Sequence, residues 1–248
     1  MKLLEGKTAI MTGCAGGIGA ACVRAAVREG AKYLLIVDVD IEGAKKTAAM
    51  INEEAGREVC DAIRADVSNE EDVKNVFKYF AEKQPQLDIL LNNAGLCAAI
   101  PMNDLTMKRW DLTMNVNIKG AFLFGREAVN AMLPHKSGRI INMASQAGKS
   151  GGINADMAYS SSKGAMLTLT KSLAKAAAAD QITVNSIAPG LIKTGMTDAT
   201  FDYKPESVPL GRIGTPEEVA DVFVFLASDL ARYITGACID VNGGILMD

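Results

Sequence analysis

Tyr159 and Lys163 stand four residues apart in the stretch AYSSSKG, residues 158–164. Residues at i and i+4 share one face of a helix. A phenol beside an ammonium is the outline of a proton-transfer device. A free tyrosine, with a pKa of ~10, is a poor base near neutrality, and a nearby cation favours its phenolate. The same spacing also arises on ordinary helix faces, so the pair alone leaves both readings open. A second stretch, TGCAGGIG at residues 12–19, places Gly13, Gly17 and Gly19 between an apolar run and an amphipathic one. Glycine there lets a pyrophosphate approach backbone N–H groups and a helix N-terminus. Asp38 ends the next apolar run, in LLIVDVD. An acid at that place binds both hydroxyls of an adenosine ribose and repels a 2′-phosphate. No basic residue lies beside Asp38 or among residues 14–16 to hold such a phosphate. This charge argument favours NAD over NADP.

The elements that must position these residues alternate. Buried-strand patterns at Thr8–Met11, Tyr33–Val37, Val59–Arg64, Leu87–Leu91, Arg139–Met143, Thr183–Ala188 and Ala237–Val241 are separated by helical ones. The helices are expected at Ile18–Glu29, Ile41–Glu54, after an N-cap at Ser68, along Met107–Met132, over Asp156–Ala179 and over Thr215–Ala227. Strand–helix alternation of this kind implies an α/β fold, a doubly wound parallel sheet with helices on both faces. No linker or low-complexity run interrupts it, so residues 1–248 are read as one domain, with a long substrate loop near 190–214.

Bulk properties exclude other classes. The 248 residues carry a net charge of −3 with no basic run, against a phosphate-tracking nucleic-acid surface. No stretch approaches the ~18 apolar residues of a membrane span. One histidine argues against a His-rich metal site or a Ser-His-Asp triad. The five cysteines are scattered without a CxxC pair and read as reduced thiols of a cytoplasmic protein.

Taken in order, the motifs resemble those of the short-chain dehydrogenase/reductases in their compact single-domain form, across essentially the whole chain. Thr12–Gly19 resembles TGxxxGxG, and Asp66 with Val67 in ADVS resembles the adenine-contacting acid and its neighbour. NNAG at 92–95 resembles the signature after the fourth strand, with Asn92, Asn93, Ala94 and Gly95 near the cofactor. Asn117, Ser145, Tyr159 and Lys163 match the family's active-site residues. Pro189, Gly190, Ile192 and Thr194 in VNSIAPGLIKTGM match the segment cradling the nicotinamide. The resemblance implies a seven-stranded Rossmann-type sheet and hydride transfer between NAD and a secondary alcohol or ketone. In it, Tyr159 is acid/base, Lys163 supports it and holds the nicotinamide ribose, Ser145 bonds the substrate oxygen and Asn117 positions a water. Cofactor contacts are implied for Thr12, Gly13, Gly17, Ile18, Gly19, Asp38, Asp66, Val67, Asn93, Ala94, Gly95, Tyr159, Lys163, Pro189, Gly190, Ile192 and Thr194, with no metal. A homotetramer is implied as well. The alternatives are an NADP-dependent 3-oxoacyl thioester reductase and, in another class, a non-catalytic NAD-binding regulatory protein.

One spacing departs from the family. Ser145 and Tyr159 are fourteen apart, one more than usual, and the extra residue is expected within GKSGGINAD. Pocket residues by family position are Leu96–Met102, Gln146, Gly151–Met157 and Leu191–Val208, where Lys149, Lys193 and Lys204 are the basic groups at hand. Candidate substrates are a polyol or sugar acid, a hydroxysteroid, a cyclic diol or a 3-hydroxyacyl thioester.

Overall fold

The computed structural model describes residues 2–152, 156–194 and 204–247. Seven strands, β1 (Thr8–Thr12), β2 (Tyr33–Asp38), β3 (Cys60–Arg64), β4 (Ile89–Asn92), β5 (Gly138–Met143), β6 (Ile182–Pro189) and β7 (Cys238–Val241), form one sheet. Their order is β3-β2-β1-β4-β5-β6-β7 and every pairing is parallel. The direction of winding reverses between β1 and β4. Ligands of open α/β sheets collect beyond the carboxyl ends of the strands at such a point.

The strands read as apolar runs because both faces of the sheet are covered. Ala9 and Met11 of β1 and Leu34 and Ile36 of β2 face helices α1 (Gly17–Arg28), α2 (Ile41–Ala55) and α8 (Pro216–Ala227). Ile10, Leu35 and Val37, one residue out of phase, face α3 (Glu70–Lys83), α5 (Gly120–Met132) and α7 (Met157–Ala177). Phe223 and Phe124 fill the two layers and are fully buried. β1 and β4 sit at the centre with all their residues buried.

A buried polar ladder crosses from sheet to helix. Asn92 donates to Asn142 Oδ1 at 2.9 Å, and Asn142 donates to Thr170 Oγ1 at 2.9 Å. Asn92 and Asn142 are also paired in register. Every member is satisfied, so the ladder fixes how α7 lies over β5 without leaving an orphaned polar group.

Two sequence expectations change, and one element is added. The N-cap of α3 is Asn69, whose side chain accepts from the N–H groups of Glu71 and Asp72. The Ser68 hydroxyl is instead donated to Asp66 Oδ1 at 2.8 Å. The stretch Met107–Met132 is α4 (Met107–Met114) and α5 joined by one π-helical turn, Asn115–Lys119. The link between β5 and α7, for which the sequence reading named no element, contains the short helix α6 (Ala147–Ser150).

The cap assignment is testable by urea unfolding. Asn69→Ala is expected to cost about 1 kcal/mol and Ser68→Ala clearly less. Equal costs would return the cap to Ser68.

Candidate active site

A cleft of about 1130 Å³ opens beyond the carboxyl ends of the strands. Of the expected cofactor residues, all but Thr12 line it, and Ser145, Tyr159 and Lys163 line it as well. Thr12 works from beneath: its Oγ1 accepts the N–H groups of Asn93 and Ala94, each at 3.1 Å. That ties the turn after β1 to the segment after β4. At Gly13 the fit is close, for a Cβ there would sit 2.5 Å from Ala94 Cα. Asn93 Nδ2 donates to Gly13 O at 2.6 Å and completes the clamp.

Asp38 stands at the end of β2 with both carboxylate oxygens in use. One accepts the Ala15 N–H at 3.0 Å and the other the Asp40 N–H at 3.1 Å. Asp40, not Asp38, caps α2 by accepting from Gly43 N. Asp38 is thus fixed against the glycine turn while still lining the cleft, and each oxygen keeps a lone pair for a ribose hydroxyl.

The other end of the cleft is built on α7. Asp156 is its N-cap and accepts the N–H of Tyr159 itself at 2.7 Å. Lys163 lies one turn on, its Nζ 5.7 Å from the centre of the Tyr159 ring. Lys163 is 3% exposed, and Nζ donates to the carbonyl of Met143 at 2.6 Å. Burial pushes its pKa from 10.5 down to about 8, partly offset by the Cys97 thiol. Cys97 lines the cleft nearby. Its pKa is raised to about 11 by burial and by Asp156, so it stays a thiol near neutrality.

Ser145 follows the end of β5, 9% exposed. Its Oγ accepts the Ala147 N–H at 3.1 Å, which occupies one of its two lone pairs and turns the hydroxyl proton away from that donor. Helix α6 packs directly on α7: a Cβ at Gly148 would meet the Lys163 carbonyl oxygen at 2.6 Å. The helix stops at Gly151, which takes a left-handed φ of 86°. The segment expected to hold the extra residue therefore begins against the lysine's own backbone.

Asn117 lies in the π-helical turn, fully buried and outside the cleft lining. Its Oδ1 accepts from Leu96 N at 2.8 Å, and Nδ2 donates to Leu96 O at 3.0 Å and Ser162 Oγ at 2.9 Å. Both amide hydrogens are committed, so the side chain is a staple between the Leu96 segment and α7.

Of the expected pocket residues, Leu96, Cys97, Gln146, Gly152, Leu191 and Ser207 line the cleft, whereas Ile100 and Met157 do not. Ile153, Asn154 and Met196 lie outside the described residues. Sequence reasoning missed Leu112 and Val116, from α4 and the π turn, and Ile245 and Leu246, which follow β7. The last two were findable, since residues after the carboxyl end of a parallel strand sit at the ligand edge.

Fold and cleft together describe a dinucleotide-binding oxidoreductase. Residues 13–246 match the family model described as enoyl-(acyl carrier protein) reductase. An uncharacterized oxidoreductase of Mycobacterium bovis is 40% identical over 247 residues, covering 98% of each chain. A 3-oxoacyl-[acyl-carrier-protein] reductase of Rickettsia felis is 39% identical over 252 residues, again with 98% of each covered. The crystal structure of a short-chain type dehydrogenase/reductase from Mycobacterium marinum superposes with a TM-score of 0.93 at 31% identity, over 99% of this chain and 97% of that one. The chain belongs to the short-chain dehydrogenase/reductase family.

The buried amine sets a pH test. In the native state Lys163 gives up its proton near 8, and in the unfolded chain near 10.5. Between those values the unfolded state binds more protons, so the cost of burying the ammonium is fully present below 8 and is relieved as pH rises. Unfolding of wild type and Lys163→Met, compared from pH 7 to 10, is expected to shift in favour of the wild type by on the order of 2 kcal/mol. A difference independent of pH would show that the ammonium carries no burial cost.

Proposed function

We propose that the chain is one catalytic domain that transfers a hydride between NAD and a secondary alcohol or ketone. The nicotinamide, when bound, supplies the hydride acceptor. The protein's task is to place one proton and to hold the reacting carbon. The Tyr159 phenol is the acid/base at the substrate oxygen. Lys163 supplies the adjacent positive charge, and two of its protons beyond the one given to Met143 O serve the ribose. Ser145, oriented by the Ala147 N–H that its Oγ accepts, gives its hydroxyl hydrogen bond to the substrate oxygen and stabilises charge there. Asn117 acts from behind, holding Leu96 and Ser162 in place.

Asp38 carries the choice of NAD. Its carboxylate is pinned at the end of β2 on the cleft wall, and Val39 beside it offers no cation. A 2′-phosphate there would face an anion. The Rickettsia relative's name suggests an acyl thioester as substrate, which this cleft can accept, but Asp38 opposes the NADP-dependent form of that reading.

The assembly fits a homotetramer. Met107 and Phe122 on α4 and α5, and Leu230 and Tyr233 before β7, are exposed apolar side chains of the kind that subunit contacts cover. All five cysteines are unbridged, which fits a cytoplasmic enzyme. Among the described residues no helix is long and apolar enough to cross a membrane.

The expected kinetics are a kcat/KM with NAD about 100-fold above that with NADP, narrowed about tenfold by Asp38→Asn. Tyr159→Phe is expected to lower kcat by about 100-fold or more with NADH binding retained. Preference for NADP in the wild type overturns the cofactor reading, and full activity in Tyr159→Phe overturns the catalytic one.

A further inference from the structure

Resting on the oxidoreductase reading above, we infer that the substrate is uncharged around its reacting carbon: a neutral ketone or secondary alcohol, with carboxylates and phosphates excluded. Among the described residues the cleft is lined by three charged side chains, Asp38, Asp66 and Lys163. The two acids lie at the adenosine end. Lys163 is committed to Met143 O and to the acid/base pair. The substrate end is walled by Leu96, Cys97, Gln146, Ser150, Leu191 and Ile245.

Among the described residues, every other cation near that end is ion-paired or lies off the cleft wall. Lys149, one residue from the lining Ser150, is held by Asp240 of β7 at 2.5 Å, with the two side chains only 14% and 25% exposed. Arg212 is clamped by Glu218. Lys193 and Lys204 are exposed and do not line the cleft. Arg109, behind Cys97, does not line the cleft either. Residues 153–155 and 195–203 contain no lysine, arginine or histidine.

An anionic substrate would therefore enter a cleft already carrying two carboxylates and a bound pyrophosphate, and would bury its charge without a partner. A neutral substrate meets only what it needs: the Gln146 amide, the Ser145 and Ser150 hydroxyls and apolar walls. The Lys149–Asp240 pair does double service. It pins α6 to β7, and it keeps Lys149, beside the lining Ala147 and Ser150, from attracting an acid.

The test is NADH-dependent reduction of matched ketone pairs, each an ethyl ester and its free acid: acetoacetate, levulinate and pyruvate. Esters are expected to exceed acids in kcat/KM by about 100-fold. Asp240→Asn, which frees the Lys149 charge, is expected to narrow that ratio about tenfold, whereas Lys149→Met/Asp240→Leu, which keeps the wall neutral, holds the wild-type ratio. Thermal unfolding and NADH binding confirm that each variant is folded, and should Asp240→Asn not fold, the wild-type ratio and the double variant carry the test. Acids reduced as well as esters, with that activity lost in Tyr159→Phe, overturn the inference and leave the oxidoreductase reading standing. An unchanged ratio in folded Asp240→Asn overturns the role of the pair. No reduction of any ester or acid, although NADH binds, overturns both the inference and the reading beneath it.

Discussion

A buried ammonium with a carbonyl for company is the constraint around which this molecule is arranged. Lys163 sits 3% exposed, its head on the Met143 carbonyl, and among the described residues no carboxylate forms an ion pair with it. A buried charge is tolerated only where the surroundings are held rigidly enough to keep its hydrogen bonds. The end of β5, the start of α7 and the glycine at 148 all meet at this lysine. Pairing it with an acid would offset the charge that the proposed mechanism uses to favour a phenolate.

That requirement explains the density of polar bonding around the site. The Asn92–Asn142–Thr170 ladder fixes α7 over the sheet, and Asp156 caps α7 at the very residue that carries the phenol. Asn117 staples the Leu96 segment to Ser162, whose hydroxyl in turn donates to the Tyr159 carbonyl at 2.7 Å. None of these side chains needs to touch a substrate. Together they remove freedom from Tyr159 and Lys163, which is the condition for electrostatic preorganisation.

What could be read beforehand divides along physical lines. The strand–helix alternation and the glycine turn were legible because both depend on local pattern: apolar runs buried on two faces, and a backbone that must come close. The π-helical turn at Asn115–Lys119 was not, because it is held by tertiary bonds from Asn117 to Leu96 and Ser162 that local pattern does not reveal. Helix α6 has four residues, one of them glycine, and weak helical preference; packing against α7 supplies what propensity lacks. Ser68 and Asn69 are both good capping residues, and the choice between them fell to a competing partner, Asp66. Of the substrate wall, the fold positions expected by family likeness were reached for Leu96 and Gln146, while Leu112 and Val116 depended on the twist that the π turn introduces.

The residues that line the cleft run along the chain from Gly13 to Leu246. A growing chain therefore completes the adenosine half, with its glycine turn and Asp38, long before β6 and the residues after β7 exist to close the nicotinamide half. Parallel pairing across such sequence separations is slow, since distant segments must meet before they are rewarded. A dinucleotide that binds the folded chain and not the unfolded one would draw the population toward complete molecules as its concentration rises.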